Sequence, residues 1–152
     1  MRIAIGADHA GFILKSELQI DLEKWGYEVI DAGCCSGDSC DYPDYGHSVA
    51  ELVHAQKADR GIIICGTGLG ISMAANRHTG IRAALCHNCD SAYFSRAHNN
   101  ANVIVFGAKY TTFVDARAML KIFLGTHFSE EERHIRRVSK IDESSPATDE
   151  QS

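Results

Sequence analysis

The sequence contains no long hydrophobic run, because no stretch approaches the roughly 18–20 apolar residues of a membrane-spanning helix. It also opens without the basic segment and apolar core of a secretory leader, since Met1 to Ile5 run directly into a strand-like segment. An excess of positive charge is missing too: 15 Lys and Arg face 20 Asp and Glu, a formal charge of -5. These absences predict a soluble, cytoplasmic protein without a membrane or nucleic-acid partner, although a local basic cluster can still bind a phosphorylated ligand.

The composition is that of one ordinary globular domain. Of the 152 residues, 45% are hydrophobic and 23% are charged. A chain of this size buries roughly 68–70% of its unfolded surface, so it needs neither disulfides nor a structural metal to form a core. The six cysteines are therefore expected to be reduced thiols, and a chemical role has to be argued for each one separately.

Short apolar segments alternate with helical patterns along the chain. Segments 2–6 and 61–65 are β-branched and end in glycine or turn residues, as parallel strands buried on both faces do. Leu14, Leu18 and Leu22 recur at helical spacing, which is typical of an amphipathic helix packed on a sheet. The full pattern predicts strands at 2–6, 27–31, 60–65, 81–86 and 102–106, helices between them, and two further helices ending near residues 125 and 141.

This alternation predicts one domain over residues 1–143. The fold class is α/β: a doubly wound, Rossmann-like or flavodoxin-like parallel sheet of five strands in the order 2-1-3-4-5, with helices on both faces and a C-terminal helix. Residues 144–152 lack apolar periodicity and are expected to form a flexible, solvated C-terminal tail.

Two glycine-rich loops follow the first and third predicted strands, where a sheet of this order has its ligand site. The first loop carries Asp8 and His9, and the second begins at Cys65. Closely spaced glycines let backbone N–H groups converge on an anion, either a phosphate or a developing oxyanion. The alternative is a pair of tight turns that need glycine, with Asp8 as an N-cap and Cys65 as a small core residue.

Several common motifs are absent from these loops. Ile71-Ser72 follows Gly70, where a Walker loop has Lys-Ser or Lys-Thr. The second loop reads GxGxG after the third strand, whereas the dinucleotide fingerprint reads GxGxxG after the first. Ile71 also stands where a low-molecular-weight phosphatase has arginine, and Cys65 stands where a receiver domain has an acidic phosphoacceptor. With these motifs excluded, the remaining interpretation is a thiol beside an oxyanion-binding loop.

Three groups of residues lie outside the two loops. His98-Asn99 ends the fourth predicted helix, where histidine is also common as a capping residue. Arg133 and Arg137 share one helix face, which costs a few tenths of a kcal/mol unless an anion lies between them; a solvated charged face is the alternative. The cysteines at 34, 35 and 40 and the Cys86-His87-Asn88-Cys89 motif suggest metal or redox chemistry, but a single CxxC is a weak zinc signal.

Five motifs together resemble one known family. They are the first glycine-rich loop, Asp41-Tyr42-Pro43, the second loop continued to Ala75-Asn76, Ser95-Arg96-x-His98-Asn99, and Arg133-His134-x-x-Arg137. In order and spacing, from about residue 1 to 143, they look like the type B ribose 5-phosphate isomerases and their sugar-phosphate isomerase relatives. The resemblance implies interconversion of ribose 5-phosphate and ribulose 5-phosphate in the pentose phosphate pathway. It also implies no metal, no cofactor, and a homodimer, or alternatively a tetramer, with sites shared between subunits.

The same resemblance implies a role for each matching residue. Cys65 would be the base that moves a proton between C2 and C1 through a cis-enediolate, and His98 would open the furanose ring by protonating its oxygen. The enediolate would be held by the Thr67 hydroxyl and by the backbone N–H groups of the loop: Gly66, Gly68, Leu69 and Gly70. Other sugar and phosphate contacts would come from Asp8, His9, Tyr42, Asn99, Arg133 and Arg137. Lys109 replaces an arginine that is frequent in relatives, which keeps the charge but loses the bidentate fork.

Three alternatives stay open. The first is an isomerase of a six-carbon sugar phosphate such as allose 6-phosphate or galactose 6-phosphate, because the same enediol chemistry serves both sizes. The second is a nucleotide- or flavin-binding module of similar fold, although the dinucleotide fingerprint is missing. The third is a metal or thiol-redox protein that uses Cys86 and Cys89.

Overall fold

A single sheet of five parallel strands organises the computed structural model, which describes residues 1–34 and 36–143. Cys35 and the tail predicted at 144–152 lie outside the described residues. The strands are β1 (Arg2–Ala7), β2 (Glu28–Asp31), β3 (Arg60–Cys65), β4 (Ala83–Leu85) and β5 (Val103–Gly107). The helices are α1 (Phe12–Lys24), α2 (Tyr42–His54), α3 (Leu69–Ala75), α4 (Cys89–Ala97), α5 (Phe113–Gly125) and α6 (Glu132–Asp142).

The doubly wound α/β class is confirmed, but the predicted order of the last two strands is wrong. The sheet runs β2-β1-β3-β5-β4, so β5 lies between β3 and β4 instead of at the edge. Every residue of β5 is buried, as a strand covered on both sides requires, whereas β4 has only three residues and all are half-buried. The outer position of the sheet is therefore taken by β4, which is short and has less apolar surface to bury.

The two faces of the sheet are covered by different helices, because successive strand residues point to opposite sides. Ile62 and Ile64 of β3 pack under α1, α4 and α5, where Leu18, Leu120 and Phe123 are fully buried. Ile63 and Cys65 point the other way, into a second core that α2 and α3 cover. The alternation along β3 therefore directs the Cys65 side chain towards α2 and α3.

Because the strands are parallel, their ends form two distinct sides of the sheet: a carboxyl edge, where the strands end, and an amino edge, where they begin. The carboxyl ends of β1, β3 and β5 lead into the two glycine-rich loops and into the turn at 107–109. The amino ends receive the chain as it leaves each helix; for example, Gly61 at the start of β3 donates a hydrogen bond to the Asn102 carbonyl just before β5. Among the helices of residues 1–34 and 36–143, none is both long and apolar enough to cross a membrane.

Candidate active site

Cys65 is the last residue of β3 and is buried, with 3% of its surface exposed. The loop that follows turns back over it, so that the Gly68 N–H donates a hydrogen bond to Cys65 Sγ at 3.2 Å. Gly68 has φ +78°, and a Cβ at this position would lie 2.5 Å from Leu85 Cδ1 and 3.1 Å from the Gly107 nitrogen. Only glycine fits this conformation without strain, and this turn is what brings a backbone amide onto the thiol.

The rest of this loop is held against the turn that follows β5. The Lys109 N–H donates to the Gly66 carbonyl at 2.9 Å, and the Ala108 N–H donates to the Cys65 carbonyl at 2.9 Å. A Cβ at Gly66 would lie 3.8 Å from both Lys109 Cε and Ala10 Cβ, so the Lys109 side chain runs beside the loop. The structure thus places the Lys109 side chain at the same edge as Cys65.

Thr67 and the first turn of α3 supply polar groups beside the thiol. Thr67 Oγ1 accepts a hydrogen bond from the Leu69 N–H at 3.3 Å, which leaves its own O–H free to donate. Gly70 lies directly under the Tyr42 ring, because a Cβ at Gly70 would overlap that ring. Tyr42 begins α2 and is 40% exposed, so its ring forms a wall of this edge while still reaching solvent.

Asp8 organises the first glycine-rich loop. Its carboxylate Oδ1 accepts hydrogen bonds from the N–H groups of Ala10 at 2.9 Å and Gly11 at 3.2 Å, and the residue is buried. Gly11 packs so closely on β3 that a Cβ there would lie 2.7 Å from Ile64 Cγ2. One oxygen of Asp8 is therefore engaged in the turn of its own loop. The N-cap of α1 is Gly11, so Asp8 does not have the N-cap role that we gave as the alternative to substrate binding.

His9 projects from the same loop and is exposed. Its Nδ1 accepts a hydrogen bond from the Cys40 N–H at 3.3 Å, which joins it to the segment before α2. Tyr45 lies close by, and its hydrogen bond with Cys40, together with burial, raises the pKa of Tyr45 to about 12. No role for Tyr45 follows from the sequence, since a tyrosine inside an amphipathic helix has no distinguishing pattern.

The carboxyl edge therefore brings together most of the predicted site residues. They are Asp8, His9, Tyr42, Cys65, Gly66, Thr67, Gly68, Leu69, Gly70 and Lys109. All of them lie at the ends of β1, β3 and β5 or at the start of α2 and α3, as the switch-point rule predicts.

His98 and Asn99 lie at the opposite edge of the sheet. His98 is the C-cap residue of α4, and the chain then passes directly into the amino end of β5. β3 alone has six residues, which at about 3.3 Å per residue separates the two edges by roughly 17 Å. A single chain thus does not bring His98 or Asn99 to Cys65.

Arg133 and Arg137 belong to the same distant group. They lie on α6, whose His134 stacks on His98 with ring centroids 4.2 Å apart and an interplanar angle of 12°. Both arginines are exposed, and Arg133 pairs with Glu131 at 2.9 Å. No separate role for His134 follows from the sequence. Its burial could have been found from the i, i+4 pair with Val138, the two buried residues of this helix.

The other cysteines that the structure describes make ordinary contacts. Cys86 is buried, which raises the pKa of its thiol, and its Sγ donates weakly to the Ala84 carbonyl at 3.5 Å. Cys89 is exposed at the first residue of α4. Burial likewise raises the pKa of Cys34, whose Sγ donates to the Ser36 carbonyl at 3.0 Å. In the part of the chain that the structure describes, no three His, Cys, Asp or Glu side chains are arranged to hold a metal ion.

Comparison with known proteins gives consistent matches over almost the whole chain. The ribose/galactose isomerase family model matches residues 3–141. Ribose-5-phosphate isomerase B of Escherichia coli (strain K12) is 46% identical over 140 residues, which cover 92% of this chain and 93% of that protein. A putative sugar phosphate isomerase of Bacillus subtilis (strain 168) is 43% identical over 142 residues, covering 93% of this chain and 95% of the relative.

Solved structures agree with the sequence matches. Ribose-5-phosphate isomerase B of Clostridium thermocellum superposes with a TM-score of 0.92 at 48% identity, covering 93% of this chain and 95% of that one. The type B ribose 5-phosphate isomerase of Trypanosoma brucei superposes with a TM-score of 0.89 at 41% identity, covering 93% and 96%. The chain is therefore an aldose–ketose isomerase that belongs to the ribose/galactose isomerase family.

Proposed function

We propose that this enzyme interconverts D-ribose 5-phosphate and D-ribulose 5-phosphate through a cis-enediolate, without a metal ion or cofactor. The observation that carries the proposal is the buried Cys65 thiol, which the glycine loop encloses and to which the Gly68 amide donates at 3.2 Å. The printed names of the relatives support the choice of substrate. We also propose a place in the pentose phosphate pathway and a cytoplasmic location.

Cys65 acts as the base in this proposal. Its thiolate takes the proton from C2 of the open-chain aldose and returns it to C1, while the proton of the C2 hydroxyl passes to the C1 oxygen. The C1 carbonyl thereby becomes a hydroxyl and C2 becomes the carbonyl. The negative charge that develops on the enediolate oxygens needs nearby donors. Within the described residues, the N–H groups of Gly66 and Thr67 have no acceptor, and the Thr67 hydroxyl is free to donate. The N–H of Gly70, in the first turn of α3, lacks an intrahelical acceptor as well.

His98 opens the sugar ring before this step. The imidazolium gives a proton to the ring oxygen as the bond between C1 and that oxygen breaks, while the C1 hydroxyl loses its proton to water. Because His98 and Cys65 lie at opposite edges of one chain, we propose that a second copy supplies His98 and Asn99 to each site. The working unit is then a homodimer with shared active sites, with a tetramer as the larger alternative.

The phosphate is held by cations from both copies. His9 and Lys109 lie at the carboxyl edge with Cys65, while Arg133 and Arg137 accompany His98 on α6 of the partner. Asn99 binds the sugar or its oxyanion, Asp8 orients sugar hydroxyls, and Tyr42 lines the pocket above Gly70. Guanidinium and ammonium groups converging on one dianion give the charge-assisted contacts that a phosphate requires.

The proposed substrate is tested by comparing kcat/KM for ribose 5-phosphate, allose 6-phosphate and galactose 6-phosphate with a chelator present throughout. The proposal expects ribose 5-phosphate to be converted fastest, with no loss of rate on chelation. A higher kcat/KM for either six-carbon phosphate would assign the enzyme to that substrate, and loss of activity with chelator would overturn the metal-free mechanism.

A further inference from the structure

The imidazole of His98 contacts two aromatic rings. His134 stacks on it nearly face to face, with centroids 4.2 Å apart at 12°, and the Phe94 ring lies at 4.7 Å with an interplanar angle of 42°. Neither ring nitrogen of His98 has a hydrogen-bond partner within residues 1–34 and 36–143, although its backbone N–H donates to the Phe94 carbonyl at 2.9 Å. A histidine that transfers protons is ordinarily oriented by a hydrogen bond from its second nitrogen to a carboxylate or carbonyl. Here ring contacts take the place of that hydrogen bond.

His134 is well suited to hold a neighbouring ring. Only 4% of its surface is exposed, and its Nε2 is buried without a hydrogen-bond partner among the described atoms. A side chain so enclosed has few alternative rotamers, because its surroundings in α6 and α4 fix the ring plane. A buried nitrogen without a hydrogen-bond partner lowers the stability of the fold. The contact with His98 suggests a functional reason for placing a histidine here.

Several charged or titratable groups surround His134. The neighbours of His134 are His98 on α4, Arg133 and Arg137 on its own helix, and Glu131 just before that helix. Burial, His98 and Arg133 lower the pKa of His134, against a smaller opposite effect of Glu131. Burial and the neighbouring cations thus disfavour the protonated form of His134.

We propose that His134 is a positioning residue for ring opening: its stacked imidazole holds the His98 ring at the angle from which it protonates the sugar ring oxygen. This inference rests on the proposed function, since it assigns a partner to the group that opens the furanose. It predicts that His134 affects the ring-opening step and leaves the later proton transfer by Cys65 unaffected.

Two reactions of the same enzyme separate these steps. Conversion of ribose 5-phosphate requires ring opening, whereas ribulose 5-phosphate cannot form a furanose, because its C5 oxygen carries the phosphate. Exchange of deuterium from solvent into C1 of ribulose 5-phosphate therefore reports on proton transfer by Cys65 without ring opening. Both rates should be measured for the wild type, His134→Ala, His134→Phe and the matched control His127→Ala. His127 is exposed, and its side chain makes no hydrogen bond within the described part of the chain.

We expect His134→Ala to lower kcat for ribose 5-phosphate about ten-fold, which is part of the rate enhancement that a general acid contributes. The rate of C1 exchange should stay within about two-fold of the wild type. His134→Phe, which keeps a flat ring against His98, should recover most of the lost kcat, and His127→Ala should match the wild type. Three outcomes would overturn the inference: unchanged conversion in His134→Ala, equal loss of both rates, or no recovery in His134→Phe. A wild type that catalyses neither reaction would instead refute the proposed function.

Discussion

Cys65 and His98 lie at opposite edges of the same sheet, because Cys65 ends β3 and His98 closes the helix that leads into the amino end of β5. The separation follows from right-handed α/β topology: residues that end strands and residues that end helices lie at opposite edges. A mechanism that uses both side chains at one site therefore requires two chains.

Mixing inactive variants tests this requirement. If the sites are shared between the two chains of the proposed homodimer, Cys65→Ala and His98→Ala should each be inactive alone, because every site lacks one group. Co-expressed in equal amounts, half of the dimers are mixed and hold one intact site, so activity should return to about a quarter of the wild type per chain.

The control for this experiment is a chain carrying both substitutions. Co-expressed with either single variant, it cannot form an intact site and should give no recovery. Recovery in that control, or its absence in the first mixture when mixed dimers are present, would contradict a site shared between chains.

Gly68→Ala should abolish most activity and lower stability. The residue has φ +78°, and the added Cβ would lie 2.5 Å from Leu85 Cδ1. The positive φ alone costs about 1 kcal/mol for an L side chain, and the displaced loop would withdraw the amide from Cys65. Thermal unfolding and kcat measure the two effects. Gly125→Ala is the control, because nothing lies within 4 Å of a Cβ there, and it should leave both quantities near wild type.

Lys109 should contribute to phosphate binding and little to the chemical step. Its Cε lies 3.8 Å from where a Cβ of Gly66 would be, at the carboxyl edge. Lys109→Ala should raise KM for ribose 5-phosphate about ten-fold with kcat within about two-fold, because one charge-assisted contact is lost in ground and transition states alike. Lys109→Arg should restore KM. A fall in kcat at constant KM would show that Lys109 acts in the chemical step instead.

The pair of Lys15 and Asp31 should matter for stability. Lys15 is 2% exposed and its Nζ lies 2.6 Å from Asp31 Oδ1, which also accepts the Gly33 N–H at 2.9 Å. Asp31→Asn should destabilise the fold by about 1–3 kcal/mol, less than for a fully buried pair because Asp31 is partly exposed. Lys15→Met, which removes the buried charge itself, should cost less. Urea unfolding measures the loss of unfolding free energy in each variant. A larger loss in Lys15→Met than in Asp31→Asn would contradict the idea that an uncompensated buried charge causes the destabilisation.

The sequence predicts the local elements well and the order of the edge strands poorly. β-branched runs and helical spacing depend on neighbours in the chain. β3 therefore has its predicted bounds, and Leu14, Leu18 and Leu22 lie buried on α1 as their spacing predicts. The exchange of β4 and β5 depends on burial across the sheet, which no local pattern of the 81–86 segment expresses.

The candidate site likewise has a part that the sequence predicts and a part that it does not. The loops after β1 and β3 carry their glycines and polar residues in sequence, so the edge with Asp8 and Cys65 could be predicted from the chain alone. The contact between His98 and His134 joins residues 36 positions apart through the packing of α6 on α4. That geometry leaves no signal in the sequence, and the two arginines on either side of His134 are the more conspicuous residues.

The most direct test of the account is the conversion of ribose 5-phosphate to ribulose 5-phosphate by the wild type and by Cys65→Ser, with chelator in both assays. Serine keeps the size and the hydrogen bond from Gly68 but is a far weaker acid than a thiol, so it supplies no base near neutral pH. The account predicts undiminished turnover by the chelated wild type and a loss of at least about 100-fold in Cys65→Ser, with the fold retained. Turnover by Cys65→Ser within a few-fold of the wild type would contradict the assignment of Cys65 as the base.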